Sequence, residues 1–572
     1  MKTAALIFCG LSVCATGLAS TETELGPNVI IFDPSMNPQA VQDKCDAIFK
    51  QQLSNQFGGE RYAIFFKPGT YKADIKVGFY THVAGLGKSP GDVTVNGVLR
   101  TQAFEPNGNV TQNFWRACEN FTVNPAGKPV TWAVSQAAPM RRMHIMGELR
   151  LFIGGWASGG FLADSKIDGQ VVSGSQQQWL SRNCEWSRWQ GGVWNMAFMG
   201  VINPPTVGVW SNKQPHTVLA KTPLIQEKPF LYVDRAGAYA VFVPGPKRDS
   251  AGIGWSDGNE AGTSVPIGKF YIAHADKDTA TTLNAALDSG KNLLLTPGVY
   301  QLAESIKITR PGTIVLGIGF ASIRSTAGNP AVDVADVDGV KLAGLLIDAG
   351  EKESPYLVQV GAPGSAKSHA AAPTYLYDIF CRVGGAGAAN VVSAMVINSS
   401  DVIGDHAWIW RADHGAGAGW TSSKSKNGLV VNGANVTYYG LFVEHFQEYQ
   451  TLWNGENGRL FFYQCELPYD IPSAAEWANG KVRGWAAYKV ADNVKKHGAL
   501  AMGVYSFFRD ASVVMDTAVE TPNGPGIYFK NVLTFWLTGK DGSSVEHVIN
   551  GTGAAINKDN RSVRLAIYPP KP

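Results

Sequence analysis

Two glutamates in the second half of the chain have a residue type and spacing suited to acid catalysis. Glu444 ends one predicted strand, just before His445, and Glu466 ends another, just after Gln464; 22 residues separate the glutamates. If one turn of a coiled sheet is about that long, the two lie on adjacent strands about 4.8 Å apart. Two such carboxyl groups cannot both ionise cheaply, so one is expected to keep its proton towards neutral pH. Protonation of a glycosidic oxygen needs such an acid. The alternative is two solvated glutamates on exterior strands.

Aromatic and polar side chains cluster around these glutamates in the sequence. Indole rings offer flat faces for sugar C–H groups and an N–H that donates a hydrogen bond. We predict that the substrate contacts in this half are His445, Tyr449, Gln450, Trp453, Gln464, Tyr469, Trp420, Asp413 and His414. Trp408 and Trp410 alternate along one strand, so both belong to the same face. Either one alone is more typical of a core residue than of a ligand contact.

A second polar cluster lies in the first half of the chain. It begins with Gln176, Gln177 and Gln178 and continues to Trp194. An amide can hold a water or a sugar hydroxyl without carrying charge. If the two halves lie side by side, this cluster faces the glutamates across a groove, and we predict that Gln176 and Gln178 contact the substrate there. The alternative is a ladder of amides at an internal corner of the fold.

The chain contains an internal repeat that indicates two similar domains. The segment 64–71 matches 293–300, and 82–87 matches 314–319, with offsets of 229 and 232 residues. An amphipathic helix precedes each copy, as expected of a cap on an open sheet edge. The apolar faces of the two helices are Val41, Cys45, Ile48 and Phe49 in the first and Leu283, Ala286 and Leu287 in the second. The predicted domains are 20–220 and 269–572, joined by a linker at 221–268.

Short strands divided by Gly, Asn and Asp indicate an all-β fold. Strand-like runs recur about every 20–35 residues, which is typical of a solenoid. We predict two tandem parallel β-helices side by side, each with an N-terminal capping helix. An array of β-sandwiches is the alternative, but it does not explain a helix before the first strand of each half.

Composition excludes several classes of protein. Charged residues are 17% of the chain and hydrophobic residues 45%, which argues against a disordered chain or a coiled coil. The net charge is +3 and long Lys/Arg runs are absent from the sequence, so a nucleic-acid partner is not expected. We expect no membrane span, because no later apolar run reaches 18 residues. Without a CxxC pair or another ligand spacing, we expect neither a metal nor a cofactor.

The first 19 residues have the pattern of a secretory signal peptide. Lys2 precedes an apolar stretch, and small residues around Ala19 suit cleavage. The sequence therefore predicts a secreted protein. Asn-X-Ser/Thr sequons predict glycosylation at Asn109, Asn120, Asn398, Asn435, Asn550 and Asn560. Cleavage would leave an odd number of cysteines, whose pairing the sequence does not give: Cys45, Cys118, Cys184, Cys381 and Cys465.

These motifs together resemble glycoside hydrolase family 55. The segments 444–450 and 464–469 are similar to the Glu-His…Tyr-Gln and Gln-Thr-Glu-Thr-Pro-Tyr segments of that family. Cys465 and Leu467 stand where the family has Thr, so the chain resembles a divergent secreted subgroup. The resemblance implies two right-handed β-helices and an inverting, exo-acting β-1,3-glucanase.

The resemblance also implies roles for individual residues. Glu466 would be the general acid and Glu444 a supporting glutamate. Because adjacent strands would place the two carboxyl groups closer than the about 6.5–9.5 Å of an inverting pair, we infer that Glu444 is not the base. The amide that holds the attacking water would come from Gln176, Gln177 or Gln178, and we assign it to Gln177. A polysaccharide or oligosaccharide is the expected partner, and the protein is expected to be a monomer.

Two other classes of function stay open at this point. A polysaccharide lyase also suits a β-helix and would need a base such as Arg411, His445 or Tyr449. A non-catalytic glycan-binding protein would use the same groove.

Overall fold

The computed structural model describes residue 22 and residues 24–256 and 260–569. It is an all-β molecule in which each half of the chain winds into a parallel β-helix built from two long sheets. The predicted fold class is therefore confirmed. The predicted signal peptide lies outside the described residues.

The first β-helix consists of a nine-stranded and a ten-stranded sheet. The strands of the nine-stranded sheet, which faces the second half, are Val29–Phe32, Tyr62–Phe66, Thr81–Gly85, Arg116–Glu119, Pro139–Arg141, Phe161–Ala163, Gln178–Arg182, Asn195–Met199 and His216–Leu219. The strands of the other are Gly69–Lys72, Ile75–Val77, Val93–Asn96, Leu99–Thr101, Thr122–Asn124, Val130–Thr131, His144–Ile145, Leu149–Arg150, Lys166–Val172 and Glu185–Gln190. A 3₁₀ turn spans Pro90–Asp92.

The second β-helix has the same plan with longer strands. The strands of its larger sheet are Phe270–Ala273, Asn292–Leu295, Val299–Leu302, Ile314–Gly317, Ser322–Ser325, Lys341–Asp348, Tyr375–Val383, Ile403–Arg411, Thr437–Glu444, Gly458–Glu466, His497–Phe508, Ile527–Gly539 and the antiparallel Ser562–Tyr568. The strands of the other are Ile306–Ile308, Val332–Val334, Ser354–Val360, Ala389–Ile397, Ser423–Val431, Thr451–Trp453, Tyr488–Val490, Val514–Glu520 and Ser544–Ile549. A short hairpin pairs Ala478–Asn479 with Val482–Arg483.

A helix covers the first turn of each β-helix, as predicted. Helix α1 spans Pro38–Gln52, and helix α2 spans Ala280–Asp288. The apolar faces predicted for the two helices are buried in the cores of their own halves. The internal repeat also has a structural counterpart, because the Tyr71 hydroxyl donates to the carbonyls of residues 32 and 67 and the Tyr300 hydroxyl to those of residues 273 and 296.

The segment predicted as a linker contains strands of its own. They are Thr222–Ile225, Phe230–Val233, Tyr239–Pro244, Lys247–Ser250 and Gly262–Pro266, arranged in two small antiparallel sheets, followed by a 3₁₀ turn at Ile267–Lys269. Glu227 and Lys228 of this segment form buried ion pairs with Arg182 and Glu119 of the first β-helix. The segment is thus packed against the first half, which its Pro and Gly content did not indicate.

The two β-helices lie side by side and run in the same direction. Hydrogen bonds between them follow the order of the chain in both halves: Arg382 with Tyr80, Gln136 with Glu444, Asn195 with Ala501, and Asn531 with Thr217. One hydrophobic cluster fills the space between the two facing sheets. A groove between the halves is therefore lined by successive turns of both.

Other predictions concern single residues. The five described cysteines are buried free thiols. The predicted glycans at Asn120 and Asn398 do not fit the folded chain, because both side chains are buried and their amides donate to main-chain carbonyls. Asn109, Asn435 and Asn550 are partly exposed and Asn560 is exposed. Among the described residues, no helix is long and apolar enough to cross a bilayer.

Candidate active site

The strands Thr437–Glu444 and Gly458–Glu466 are neighbours in the larger sheet of the second half. Their register pairs Glu444 directly with Glu466, and it pairs Trp410 with Glu444 on the other side. The next strand continues the same column with Tyr505 opposite Glu466. Residues in one column of a parallel sheet point to the same face. The two carboxyl groups therefore emerge at successive levels of one wall, as predicted from their spacing.

This wall borders a cavity of about 530 Å³ between the two β-helices. Such a volume is in the usual range for small-ligand sites. The first half contributes Thr111, Gln112, Phe114, Gln136, Trp156, Ser158, Gln177, Val193 and Trp194. The second half contributes Trp408, Trp410, Asp413, His414, Glu444, His445, Glu466, Tyr469, Phe535, Leu537 and Arg561. The second half supplies its acids from strand ends, while the first half supplies amides and hydroxyls from the corners of its turns.

Glu444 is held by donors from both β-helices. Gln136 Nε2 donates to Glu444 Oε1 at 2.9 Å, and Trp408 Nε1 donates to Oε2 at 2.8 Å. The side chain is only 2% exposed. Burial and the neighbouring Glu466 raise the pKa of Glu444 well above its usual value, and the Trp408 hydrogen bond offsets part of this shift.

Glu466 sits half-buried at the cavity wall. The Tyr469 hydroxyl and Gln464 Nε2, the latter at 3.2 Å from Oε1, approach its two oxygens. Burial raises the pKa of Glu466 to about 7, although the Tyr469 hydrogen bond favours the ionised form. The two glutamates therefore share one proton near neutral pH.

The neighbours of each carboxyl group determine which of the two carries that proton. The indole N–H of Trp408 can only donate, and it points at Glu444. The hydroxyl of Tyr469 can also accept, and it points at Glu466. A protonated Glu466 therefore keeps a partner, whereas a protonated Glu444 would place its proton against a donor. These partners favour the proton on Glu466 and the negative charge on Glu444.

A third carboxylate lies beside them. His414 Nδ1 donates to Asp413 Oδ1 at 2.9 Å, and His445 Nε2 is 3.9 Å from the same oxygen. Burial would raise the pKa of Asp413, but the two histidines outweigh it and lower that pKa to about 2. Burial lowers the pKa of His445. The negative charge of Asp413 in turn helps to raise the pKa of Glu466.

Aromatic rings pack against Trp408 and Trp410 at one end of the cavity. Phe57 stacks on Trp410 with ring centroids 6.2 Å apart and meets His414 edge-on at 5.6 Å. Phe114 packs on Trp408 at 4.7 Å. Trp408 and Trp410 are each 1% exposed and stack on one another at 4.6 Å, so they share one face as predicted and border both core and cavity. This arrangement suits the binding of the end of a sugar chain better than the binding of its middle.

The structure brings half of the predicted site residues together. Those that line the cavity are Glu466, Glu444, Gln177, His445, Tyr469, Asp413 and His414. Gln464 contacts Glu466 from behind the wall and is itself buried. The Gln178 side chain is also buried and donates to the carbonyl of residue 158. Neither of these two glutamines lines the cavity.

Five further predicted substrate contacts do not line the cavity either, because their side chains serve the fold. Trp453 is 0% exposed inside the second β-helix. Gln450 is buried and holds the corner at residue 446, and Gln176 bonds to main-chain groups of three turns. Tyr449 bonds to Asn479 and Glu520, and Trp420 packs against the core near Arg411. Of the three candidate lyase bases, Arg411 is ion-paired with Asp470 and Tyr449 does not line the cavity, whereas His445 does.

The sequence analysis missed Gln136, Ser158 and Trp156. Gln136 reaches Glu444 and lies 3.3 Å from Ser158 Oγ, whereas the Gln177 side chain contacts neither glutamate. Gln136, and not Gln177, is therefore the amide that contacts the glutamate pair. Pro139 pairs with Phe161 and Phe161 pairs with Leu180, so Gln136 lies two turns before Gln177 at the same corner. In the described residues, no group of three or more His, Cys, Asp or Glu is arranged to hold a metal.

Comparisons with known proteins agree with this geometry. Residues 270–466 match the family model described as the LAM55 pectate lyase-like domain. An exo-beta-1,3-glucanase of Streptomyces sp. (strain SirexAA-E / ActE) is 48% identical over 540 residues, which are 94% of this chain and 88% of that protein.

Two solved structures are also similar. The structure of sacteLam55A from Streptomyces sp. SirexAA-E superposes with a TM-score of 0.92 at 46% identity, covering 95% of this chain and 99% of that one. A glutamate-to-alanine variant of the same protein in complex with glucose gives a TM-score of 0.92 at 46% identity, over 95% and 98% of the two chains. Identity at this level across nearly the whole chain shows that the protein belongs to the laminarinase-like glycoside hydrolases of family 55.

Proposed function

We propose that the protein is an exo-acting β-1,3-glucanase that removes single glucose units from the end of a chain. The observation that carries the proposal is the buried Glu444–Glu466 pair, which shares one proton beside a cavity that has aromatic rings packed at one end. The similar proteins are described as an exo-beta-1,3-glucanase and as a complex with glucose, which supports both the linkage and the product.

Glu466 acts as the general acid. Its pKa of about 7 keeps the carboxyl group protonated at mildly acidic pH. The proton passes to the glycosidic oxygen as the bond from that oxygen to the anomeric carbon breaks, and the shortened glucan leaves as an alcohol. Tyr469 holds the carboxyl group towards the cavity.

A water molecule attacks the anomeric carbon from the opposite side. Both oxygens of Glu444 are occupied by N–H donors, so this carboxylate is poorly placed to attack the sugar itself. Gln136 and Ser158 provide polar atoms that can hold a water between Glu444 and the sugar. Glu444 then takes the proton that the water loses, directly or through these side chains. This replaces the expectation that Glu444 is not the base.

The test is hydrolysis of laminarin followed by NMR of the released sugar within the first minutes. Inversion predicts that α-glucose appears first and then mutarotates, with no larger oligosaccharide among the early products. The Glu466→Gln variant, purified in parallel, controls for contaminating glucanase. Release of β-glucose would contradict single displacement, release of larger fragments would contradict exo action, and an inactive wild type would overturn the proposal.

We also propose that the protein is secreted. The N-terminal pattern of residues 1–19 and the exposed or partly exposed sequon asparagines support this. N-terminal sequencing of the protein from culture medium should find a chain that begins near residue 20. Retention of the full chain inside the cells would contradict it.

A further inference from the structure

A second cavity lies at the start of the strands whose ends carry the two glutamates. Its volume is about 140 Å³. The strands Thr437–Glu444 and Gly458–Glu466 begin beside it, with Thr437 and Arg459 among its lining residues, and end at the active site. About 23 Å of strand therefore separates this cavity from the glutamate pair. The cavity is a separate place on the molecule, which the glucanase reaction does not use.

The cavity is enclosed by two parts of the chain that are far apart in sequence. The segment that joins the two halves contributes Leu224 and Arg248, and the larger sheet of the second half contributes Thr437, Tyr439 and Arg459. The Tyr439 hydroxyl donates to the Leu224 carbonyl at 2.9 Å, so the two walls are held against each other. A ligand in this cavity would contact both.

One arginine from each wall faces the cavity. Arg248 pairs with Leu224 across the small antiparallel sheet, and Arg459 pairs with Thr437 across the larger sheet. Paired residues of adjacent strands point to the same face, so both guanidinium groups lie on the side that Leu224 and Thr437 line. Among the described residues, neither guanidinium group has a partner in an ion pair or a hydrogen bond. Two like charges that line one cavity repel each other unless an anion lies between them.

Two buried hydroxyl groups in the same part of the larger sheet also lack partners. The register places Tyr375, Ile403, Thr437 and Arg459 in one column. Tyr375 is 2% exposed and Thr437 is 4% exposed, and neither hydroxyl forms a hydrogen bond with any described residue. Burial raises the pKa of Tyr375 and the positive charge of Arg248 opposes that shift, so the two side chains lie near each other. A buried hydroxyl without a partner costs free energy, which a ligand in the cavity can recover at Thr437.

The one carboxylate that lines this cavity is already occupied. Asp401 accepts from Asn435 Nδ2 at 3.0 Å, from Ser368 Oγ at 3.0 Å and from the backbone N–H of His369 at 2.8 Å. These three hydrogen bonds also hold the loop that contains Ser368 and His369 in place. The groups left without partners at the cavity are guanidinium and hydroxyl donors. Such a set of groups suits an anion and not a cation.

We propose that this cavity binds a tetrahedral oxyanion, a phosphate or sulfate group, between Arg248 and Arg459, with the Thr437 hydroxyl as a third donor. A guanidinium group presents two parallel N–H donors that match two oxygens of such an anion. The bound anion would link the joining segment to the second β-helix. The group is either a free ion or an ester, and the experiment separates these two sources. The proposal does not depend on the glucanase function.

The experiment is a ³¹P NMR titration of the full chain with inorganic phosphate and, separately, with glycerol 3-phosphate, while sodium chloride keeps the ionic strength constant. The wild type should bind one phosphate group per chain. Arg248→Met and Arg459→Met should each weaken the affinity about tenfold or more, and Thr437→Val about threefold. Arg235→Met is the matched control, because Arg235 is exposed in the same joining segment and does not line the cavity. It should bind phosphate as the wild type does.

A wild type that binds neither probe would overturn the proposal, and so would an affinity that neither arginine variant lowers or that Arg235→Met lowers equally. Binding of inorganic phosphate alone assigns the site to a free ion, and binding of glycerol 3-phosphate assigns it to an ester as well. The melting temperature of each variant in buffer without phosphate or sulfate separates lost binding from misfolding. Arg248→Lys keeps the charge but loses the paired N–H donors, so it should bind with intermediate affinity; it keeps the test open if Arg248→Met does not fold.

Discussion

Buried carboxylates occur at two places between the β-helices: the pKa of Asp378 is lowered at one, and the pKa values of Glu444 and Glu466 are raised at the other. Asp378 and Asp405 face Arg141 at 2.8 and 2.7 Å, and Arg182 is 3.0 Å from Asp405. Burial alone would raise the pKa of Asp378, but Arg141 and then Lys228 lower it far below its usual value.

Glu444 and Glu466 lie between the same two sheets without such cations. Among the described residues, neither forms an ion pair with Lys, Arg or His; amide, indole and phenol groups face them instead. Their pKa values rise. Glu444 is buried as deeply as Asp378, so the opposite shifts of their pKa values arise from the partner groups. Asp378 and Asp405 join the two β-helices through ion pairs. Glu444 and Glu466 retain a transferable proton because no guanidinium group neutralises them.

Arg141→Met should remove the ion pairs that join the two β-helices at Asp378 and Asp405. It leaves two buried aspartates without one of their cations, and the free energy of unfolding should fall by about 3 kcal/mol. Denaturant unfolding of the variant measures this. Arg459→Met is the control, because Arg459 is exposed and forms no ion pair with any described residue. A variant as stable as the wild type would show that these ion pairs do not fasten the halves.

Glu444→Gln should disable the catalytic region without unfolding it. Loss of the base lowers kcat by about 10²–10³-fold. Loss of the negative charge beside Glu466 also lowers the pKa of that acid, so the basic limb of the kcat/KM profile moves to lower pH. A pH profile of the variant measures both effects. A basic limb that stays in place would show that the two glutamates do not interact.

The sequence predicted much of the fold, but it predicted less of the active site. The paired glutamates were predictable because one turn of the coil separates them, which fixes their register. The existence of two similar halves was also predictable, because the segments around Tyr71 and Tyr300 repeat one another. Gln136 was not predictable, since its role depends on how the halves dock across 308 residues of chain. Trp453 was misassigned because an indole inside a coil and one facing a groove have the same local pattern.

Gln136→Lys should give Glu444 and Glu466 a neighbouring cation, as Arg141 gives Asp378 and Asp405. An ammonium near Glu444 should lower the pKa of the pair by about 1–2 units. The basic limb of the profile then moves to lower pH, and activity at pH 7 falls about tenfold or more. Gln136→Met is the matched control: it removes the amide and adds no charge, so it should slow the reaction without lowering the basic limb. Identical profiles for the two variants would contradict the role given to charge.

Trp408→Phe tests how much one hydrogen-bond donor contributes to the pKa of Glu444. The Trp408 hydrogen bond lowers the pKa of Glu444, so its loss should raise that pKa and move the acid limb of kcat/KM to higher pH by a few tenths of a unit. Activity at the optimum should fall about tenfold, because one hydrogen bond to a charged group contributes about 1.5 kcal/mol. Trp410→Phe removes an indole from the same cavity wall without removing a donor to Glu444, and it should leave the acid limb unchanged. If both variants shift the limb equally, ring size rather than the N–H sets the pKa of Glu444. The contrast between the two regions would then depend on packing as well as on charge.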